Sequence, residues 1–242
     1  MKSIQNKFTE AMALRDHTLQ GIGRLQEKSI HSTLKYFLSE NEQNHEVPIH
    51  GFVADVVVDQ TIYEIQTGSF DKLRAKIMSY TPDYELHIVF PIAYQKHVLW
   101  FDEEHRLIKR NKSPKKGSIY DIVRELYKIR PLITNERLFI DCFLINMEEI
   151  RLLDGWDLSK KRGATKVDKV PMELVEIVSF HEPSDYLRFL PENLPTQFLA
   201  KDLSDVVRLT PRQVSALLLV LRELGLIRLV GKQGRANLYE VV

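Results

Sequence analysis

Apolar and polar positions alternate most sharply between Gly51 and Ser69, GFVADVVVDQTIYEIQTGS, where the β-branched runs FVADVVV and TIYEIQ flank Asp59 and Gln60. The pattern predicts a β-hairpin. Counting outward from that turn pairs Val58 with Thr61, Val57 with Ile62 and Val56 with Tyr63, and sets Asp55 opposite Glu64. Any loop of even length keeps this register, and strand alternation puts Gln66 on the Glu64 face. HEVPIHG reads as the preceding strand. Before it, Ile30, Leu34, Phe37 and Leu38 mark one side of a helix from Gln26 to Leu38, after a shorter helical lead-in from Lys2 to Leu19. After the hairpin, Ser69 is placed to cap a helix with the core stripe Leu73, Ile77 and Tyr80, which Pro82 closes.

ELHIVFPIA is nearly continuous in apolar residues, as a parallel strand covered on both faces should be. HVLWF and RLIKR form a two-stranded ribbon in this reading, Ser118 and Asp121 a capping box for IYDIVRELYKIR, and RLFIDCFLIN another buried strand. The segment from Asp154 to Lys169 is polar and reads as a loop. There Lys160, Lys161, Arg162 and Lys166 gather around a glycine, a composition that holds phosphates by charge and free amides and equally serves as a plain connector.

The pattern changes near Phe180 to Pro183, which divides residues 1–180 from 181–242. Three helical segments, PSDYLRFLP, PTQFLAKDLSDVVRL and TPRQVSALLLVLRELG, precede a ribbon, LIRLVGKQGRANLYEVV. Thr210 and Pro211 start the third helix and Gly225 ends it. This segment resembles a winged helix-turn-helix domain. In the DNA-reading form of that fold, Thr210, Arg212 and Gln213 would face the major groove, while Lys232 and Arg235 at the ribbon tip would touch backbone.

The chain of 242 residues has 44% hydrophobic and 28% charged residues, ordinary for a globular protein, and a net charge of +1. Nucleic-acid contact would therefore come from local patches. A single cysteine, Cys142, lies in an apolar run and excludes a disulfide framework. No apolar signal region or membrane-spanning run is visible, so the expected location is the cytoplasm, without membrane contact.

Chemistry concentrates at the hairpin. Carboxylates opposite each other across a sheet lie about 5 Å apart at Cβ and repel. A shared Mg²⁺ or Mn²⁺ would relieve that repulsion; edge acids facing water beside lysines are the plainer alternative. Glu27, sharing a helix face with His31, a G-x-x-A-D strand ending in Asp55, and E-x-Q at Glu64 and Gln66, followed by a helix and a buried strand, together resemble the PD-(D/E)xK nuclease superfamily. Its archaeal Holliday-junction resolvase branch is closest in spacing, and the likeness spans about Gln20 to Ala93. Ala54 stands where the family has proline, and Gln66 where it usually has lysine, although some restriction endonucleases of the superfamily use E-x-Q.

The resemblance implies an α/β, restriction-endonuclease-like αβββαβ core with a mixed sheet and metal-dependent hydrolysis of phosphodiester bonds, in DNA first. Asp55, Glu64 and the backbone carbonyl of Ile65 would hold the ion, with Glu27 acting through water. Gln66 would orient the attacking water without adding charge. A homodimer would let two subunits cut two strands. A non-catalytic nucleic-acid regulator on a degenerate nuclease fold, or a protein acting on small nucleotides, are the competing classes.

Overall fold

The computed structural model describes residues 3–19, 28–156, 162–207 and 209–242. Helices α1 (Ile4–Leu19) and α2 (Ser29–Leu38) lead into strands β1 (His45–Ile49), β2 (Phe52–Val58) and β3 (Thr61–Ile65). Then come α3 (Leu73–Tyr80), β4 (Glu85–Phe101), β5 (Leu107–Lys112), α4 (Val123–Lys128), β6 (Leu138–Trp156) and β7 (Arg162–Phe180). The main sheet runs β1-β2-β3-β4-β6-β7, with β5 added to β4. It is mixed: β1, β2 and β3 are antiparallel, β3, β4 and β6 parallel, and β6 and β7 antiparallel. Among the described residues, no helix is long and apolar enough to cross a membrane.

The hairpin register is the one the even turn dictates, with Val56 facing Tyr63, Val57 facing Ile62 and Val58 facing Thr61. Asp59 takes a positive φ of 52°, which short polar side chains tolerate in a tight turn. Alternation then sorts the strands into two faces. Ile62, Leu86, Ile88, Ile140 and Phe180 join one core with Leu73, Ile77 and Tyr80 of α3 and Val123 and Leu126 of α4. Ile65, Val89 and Phe143 point the other way, under Phe8 of α1 and Ile30, Leu34 and Phe37 of α2. Burial on both faces is why β4 and β6 begin as unbroken apolar runs.

Three sequence expectations change. ELHIVFPIA does not end at Ala93: β4 continues through a register shift between Ala93 and Lys96 into the ribbon with β5. The polar segment Asp154 to Lys169 is largely strand, because Thr165 to Lys169 pair with β6 as part of β7. Lys166 therefore sits exposed on an edge strand opposite Arg151 and not in a phosphate-holding loop. Charge on an edge strand keeps it from pairing with another chain, which is why a strand can look like a loop. Lys160 and Lys161 lie outside the described residues, and only the backbone of Arg162, the first residue of β7, is described.

The third change is in the C-terminal segment, where Gln197–Leu199 form a strand, β8, inside a stretch expected to be helical. It pairs with β10 (Ala236–Val241), which pairs with β9 (Ile227–Gln233); α5 (Ala200–Val207) and α6 (Pro211–Glu223) lie between β8 and β9 in the chain. Thr210 and Gln213 form a reciprocal capping box at the start of α6, and Gly225 follows its end at φ +72°. Phe180 and Phe189 stack at 5.1 Å, and α6 packs on α4, so one apolar cluster passes from the large sheet into this segment.

Helix α2 has no side-chain cap of its own. Asp168 of β7 supplies one, accepting the Ser29 backbone N–H at 3.2 Å and its hydroxyl. At the register shift in β4, the Gly117 N–H donates to the carbonyls of Ala93 and Tyr94 at 3.1 and 3.0 Å. A Cβ on Gly117 would lie 2.4 Å from the Ala93 oxygen and 2.8 Å from Ile92 Cγ2. Gly117→Ala should therefore cost about 1–3 kcal/mol in urea denaturation, the range for forced overpacking; unchanged stability would show that the bulge yields.

Candidate functional site

The ladder pairs between β2 and β3 end at Val56 and Tyr63. One step beyond, the Asp55 carboxylate accepts the Ile65 backbone N–H at 2.7 Å. Its Oδ2 also lies 3.3 Å from His31 Nε2, on the first turn of α2. Glu64 is only 4% exposed. Both of its oxygens take the Lys76 ammonium, at 2.8 and 2.7 Å, and Lys76 also donates to the Val53 carbonyl at 2.7 Å. Lys76 thus ties α3 to both strands of the hairpin.

Burial, and after it the charge of Asp55, pushes Glu64 up to about 7 even though Lys76 and His31 pull the other way. The site is short of positive charge. Tyr80, fully buried on α3, has a hydroxyl with no hydrogen-bond partner among the described residues. Burial, then the charges of Glu64 and Asp55, push its proton affinity up, which places the hydroxyl within their field. A buried hydroxyl without a partner is uncommon in a folded protein and costs stability unless something satisfies it.

The donor set fits a hard divalent cation: two carboxylates in a poorly solvated corner, one still drawn toward its protonated form beside a lysine. Asp55, Glu64 and His31 do not draw their ligand atoms within 4.8 Å of one another among the described residues, because both Glu64 oxygens are turned to Lys76.

Asp55 meets the Ile65 backbone N–H, and its charge is felt at the neighbouring Glu64. Gln66 is half-buried, and its amide donates to the Ser69 carbonyl at 2.8 Å, bracing the loop into α3. Glu27 lies outside the described residues. The stripe Leu73, Ile77 and Tyr80 was read from the sequence without Lys76, and the part of that lysine here was missed. The signal was present: Leu73, Lys76, Ile77 and Tyr80 follow i, i+3, i+4, i+7 spacing, so this lysine falls in the buried stripe.

At the other end of the molecule, Thr210 and Gln213 are committed to each other, the Thr210 hydroxyl meeting Gln213 Oε1 at 2.8 Å, while Arg212, Lys232 and Arg235 are exposed.

A family model described as "Domain of unknown function (DUF8091)" matches residues 28–181, from the residue before α2 to the residue after β7. An uncharacterized protein of Treponema pallidum (strain Nichols) is 28% identical over 219 residues, covering 90% of this chain and 86% of its own. That likeness is too long to end with the family match and reaches into the C-terminal segment. No solved structure matches.

Between the ordinary value of 4.5 and about 7, folded Glu64 keeps a proton that the unfolded chain has released, so its contribution to stability falls as pH rises through this window. Glu64→Gln has no such proton. In urea denaturation with chelator present, wild-type stability relative to Glu64→Gln should decline by on the order of 3 kcal/mol from pH 4.5 to pH 8. A difference that stays flat with pH would overturn the buried, charge-poor reading of the site.

Proposed function

The chain belongs to the family of unknown function DUF8091, so its activity has to be inferred from the site, and we propose that it is a metal-dependent phosphodiesterase that cleaves nucleic acid, DNA first. The observation that carries this reading is the Asp55–Glu64 hairpin end with the Lys76 ammonium lodged on it. Its setting agrees: helix, three antiparallel strands, helix, then a strand parallel to the third is the order of the restriction-endonuclease-like αβββαβ core.

Asp55, Glu64 and the Ile65 carbonyl would hold Mg²⁺ or Mn²⁺, with Glu27 reaching it through water. When bound, the ion lowers the pKa of a coordinated water and offsets charge on the scissile phosphate. The protein's own groups do the rest. The Ile65 N–H and His31 fix the orientation of Asp55. Lys76 brings from α3 the positive charge that Gln66, just past β3, cannot bring, in reach of Glu64. Gln66 holds the loop that starts α3 and thereby keeps Lys76 in register. The Glu64 carboxylate and the Lys76 ammonium meet where there is little solvent, and there charge acts more strongly than it would in water.

Docking falls to the C-terminal segment. Its order of short helix, strand, two helices and ribbon, with the first strand pairing onto the ribbon, supports a winged helix-turn-helix. Arg212 at the start of α6 and Lys232 and Arg235 beside the ribbon turn are its exposed cations; Lys166 adds one on β7. Two subunits acting together would cut both strands of a duplex.

One observation favours a second reading. Lys76 already satisfies both Glu64 oxygens, which suits a non-catalytic binder whose metal position has been closed by a lysine.

Incubation with Mg²⁺ or Mn²⁺ and duplex, single-stranded or branched DNA, or RNA, separates the two. Cleavage should be abolished in Asp55→Asn and Glu64→Gln, fall about 10²–10⁴-fold in Lys76→Met, and fall by a smaller factor in Gln66→Ala, which acts only through the placement of Lys76. Binding without cutting in the wild type would establish the binder, and cutting that survives both acid substitutions would place the activity elsewhere. Arg212→Ala and Lys232→Ala should each weaken DNA binding and reduce its salt slope by about 1; an unchanged slope removes the C-terminal segment from the interface.

A further inference from the structure

The strands that carry the hairpin site hold a second cluster on their other face. Glu64 and Tyr63 are neighbours on β3 and point to opposite sides, and Tyr63 is the register partner of His87 on β4. Asp141 on β6 shares that side, and His181 follows the end of β7. Asp141 is 7% exposed. Its Oδ2 lies 2.6 Å from His87 Nδ1, its Oδ1 accepts the Ser179 hydroxyl, and Oδ1 lies 3.6 Å from His181 Nε2. The ligand atoms of His87, Asp141 and His181 all fall within 4.8 Å of one another.

The plain explanation is a buried aspartate satisfied by its neighbours, and it accounts for His87 and Ser179. It does not account for His181. A separation of 3.6 Å is too long for a hydrogen bond, so Asp141 has no need of that ring. The ring is nevertheless held, 5.0 Å from Phe139 and 5.5 Å edge-on from His87, with Nε2 near the carboxylate. Two ligand atoms on one tetrahedral zinc with bonds of about 2.0–2.1 Å lie roughly 3.3 Å apart, between the 2.6 and 3.6 Å that separate the Asp141 oxygens from His87 Nδ1 and His181 Nε2.

The surroundings agree with a metal centre. Phe139 and Tyr63 flank His87 at 4.8 and 5.0 Å and form an apolar wall, and the Ser179 hydroxyl holds Asp141 from behind as an outer-shell partner does. The His181 side chain is 48% exposed, so one side opens to solvent. Two imidazoles and one carboxylate are a softer set than the oxygens of Asp55 and Glu64, and select zinc, iron or nickel over magnesium.

We propose that His87, Asp141 and His181 bind one divalent late transition-metal ion, Zn²⁺ by preference, with a coordination position left open to solvent. The site is separate from the hairpin acids and does not depend on the nuclease reading.

Tag-free, full-length protein is stripped with chelator, held in excess Mg²⁺, and titrated with Co²⁺ while its visible absorption is followed; Zn²⁺ is then added in competition. One equivalent of Co²⁺ should give a ligand-field band that Zn²⁺ removes. Affinity should fall about 100-fold or more in His181→Ala and His87→Gln and at least about 10-fold in Ser179→Ala, and stay unchanged in Glu64→Gln. His181→Ala alters a half-exposed side chain beyond the strand end, so it reports on the site even if Asp141→Asn fails to fold. No band in the wild type, or a band indifferent to His181→Ala, would overturn the proposal. So would a band lost in Glu64→Gln, which would put the ion on the other face.

Discussion

Everything at the hairpin end depends on a charge that water does not reach. Glu64 sits inside an apolar core, and Lys76 is its only partner of opposite formal charge within ion-pair distance among the described residues. Removing one member of such a pair typically costs about 3–5 kcal/mol, whereas replacing both with well-packed apolar groups is often neutral or stabilising. Stability alone therefore gives no reason for a glutamate and a lysine at these positions. The proposed function does, because in that reading a carboxylate pushed up to about 7 by burial and by Asp55 would exchange its proton for a stronger positive charge.

The same economy explains the sheet. β4 and β6 are sandwiched, with α3 and α4 over one face and α1 and α2 over the other. Successive residues of one strand therefore enter different environments: Glu64 faces Lys76 of α3, while Tyr63 faces the imidazole cluster. Two chemically distinct clusters fit within the thickness of one sheet because alternation separates them.

The hairpin was legible in the sequence because its register depends on parity alone, and an even turn leaves one answer. Helix caps at Ser69, Ser118 and Thr210 were legible for a similar local reason. β7 was not: lysines and acids at its edge carry the composition of a loop, and the pairing that makes them a strand comes from β6. Lys76 was visible only as a charge in a helix, since spacing gives the face it occupies but not the carboxylate waiting there. His87, Asp141 and His181 belong to separate strands and a strand end, so no spacing rule unites them; only the sheet order does. Gln66 shows the converse. Its position suited chemistry, yet a nearby carbonyl claimed its amide.

Asp168 also sets a boundary condition for the opposite side of the molecule. By clamping the first residue of α2, an edge strand fixes where that helix starts, and with it the reach of His31 toward Asp55. The long β6–β7 arm is thus a gauge for the hairpin, though the two never pair. Trimming or bending that arm would register as a misaligned imidazole at the acids.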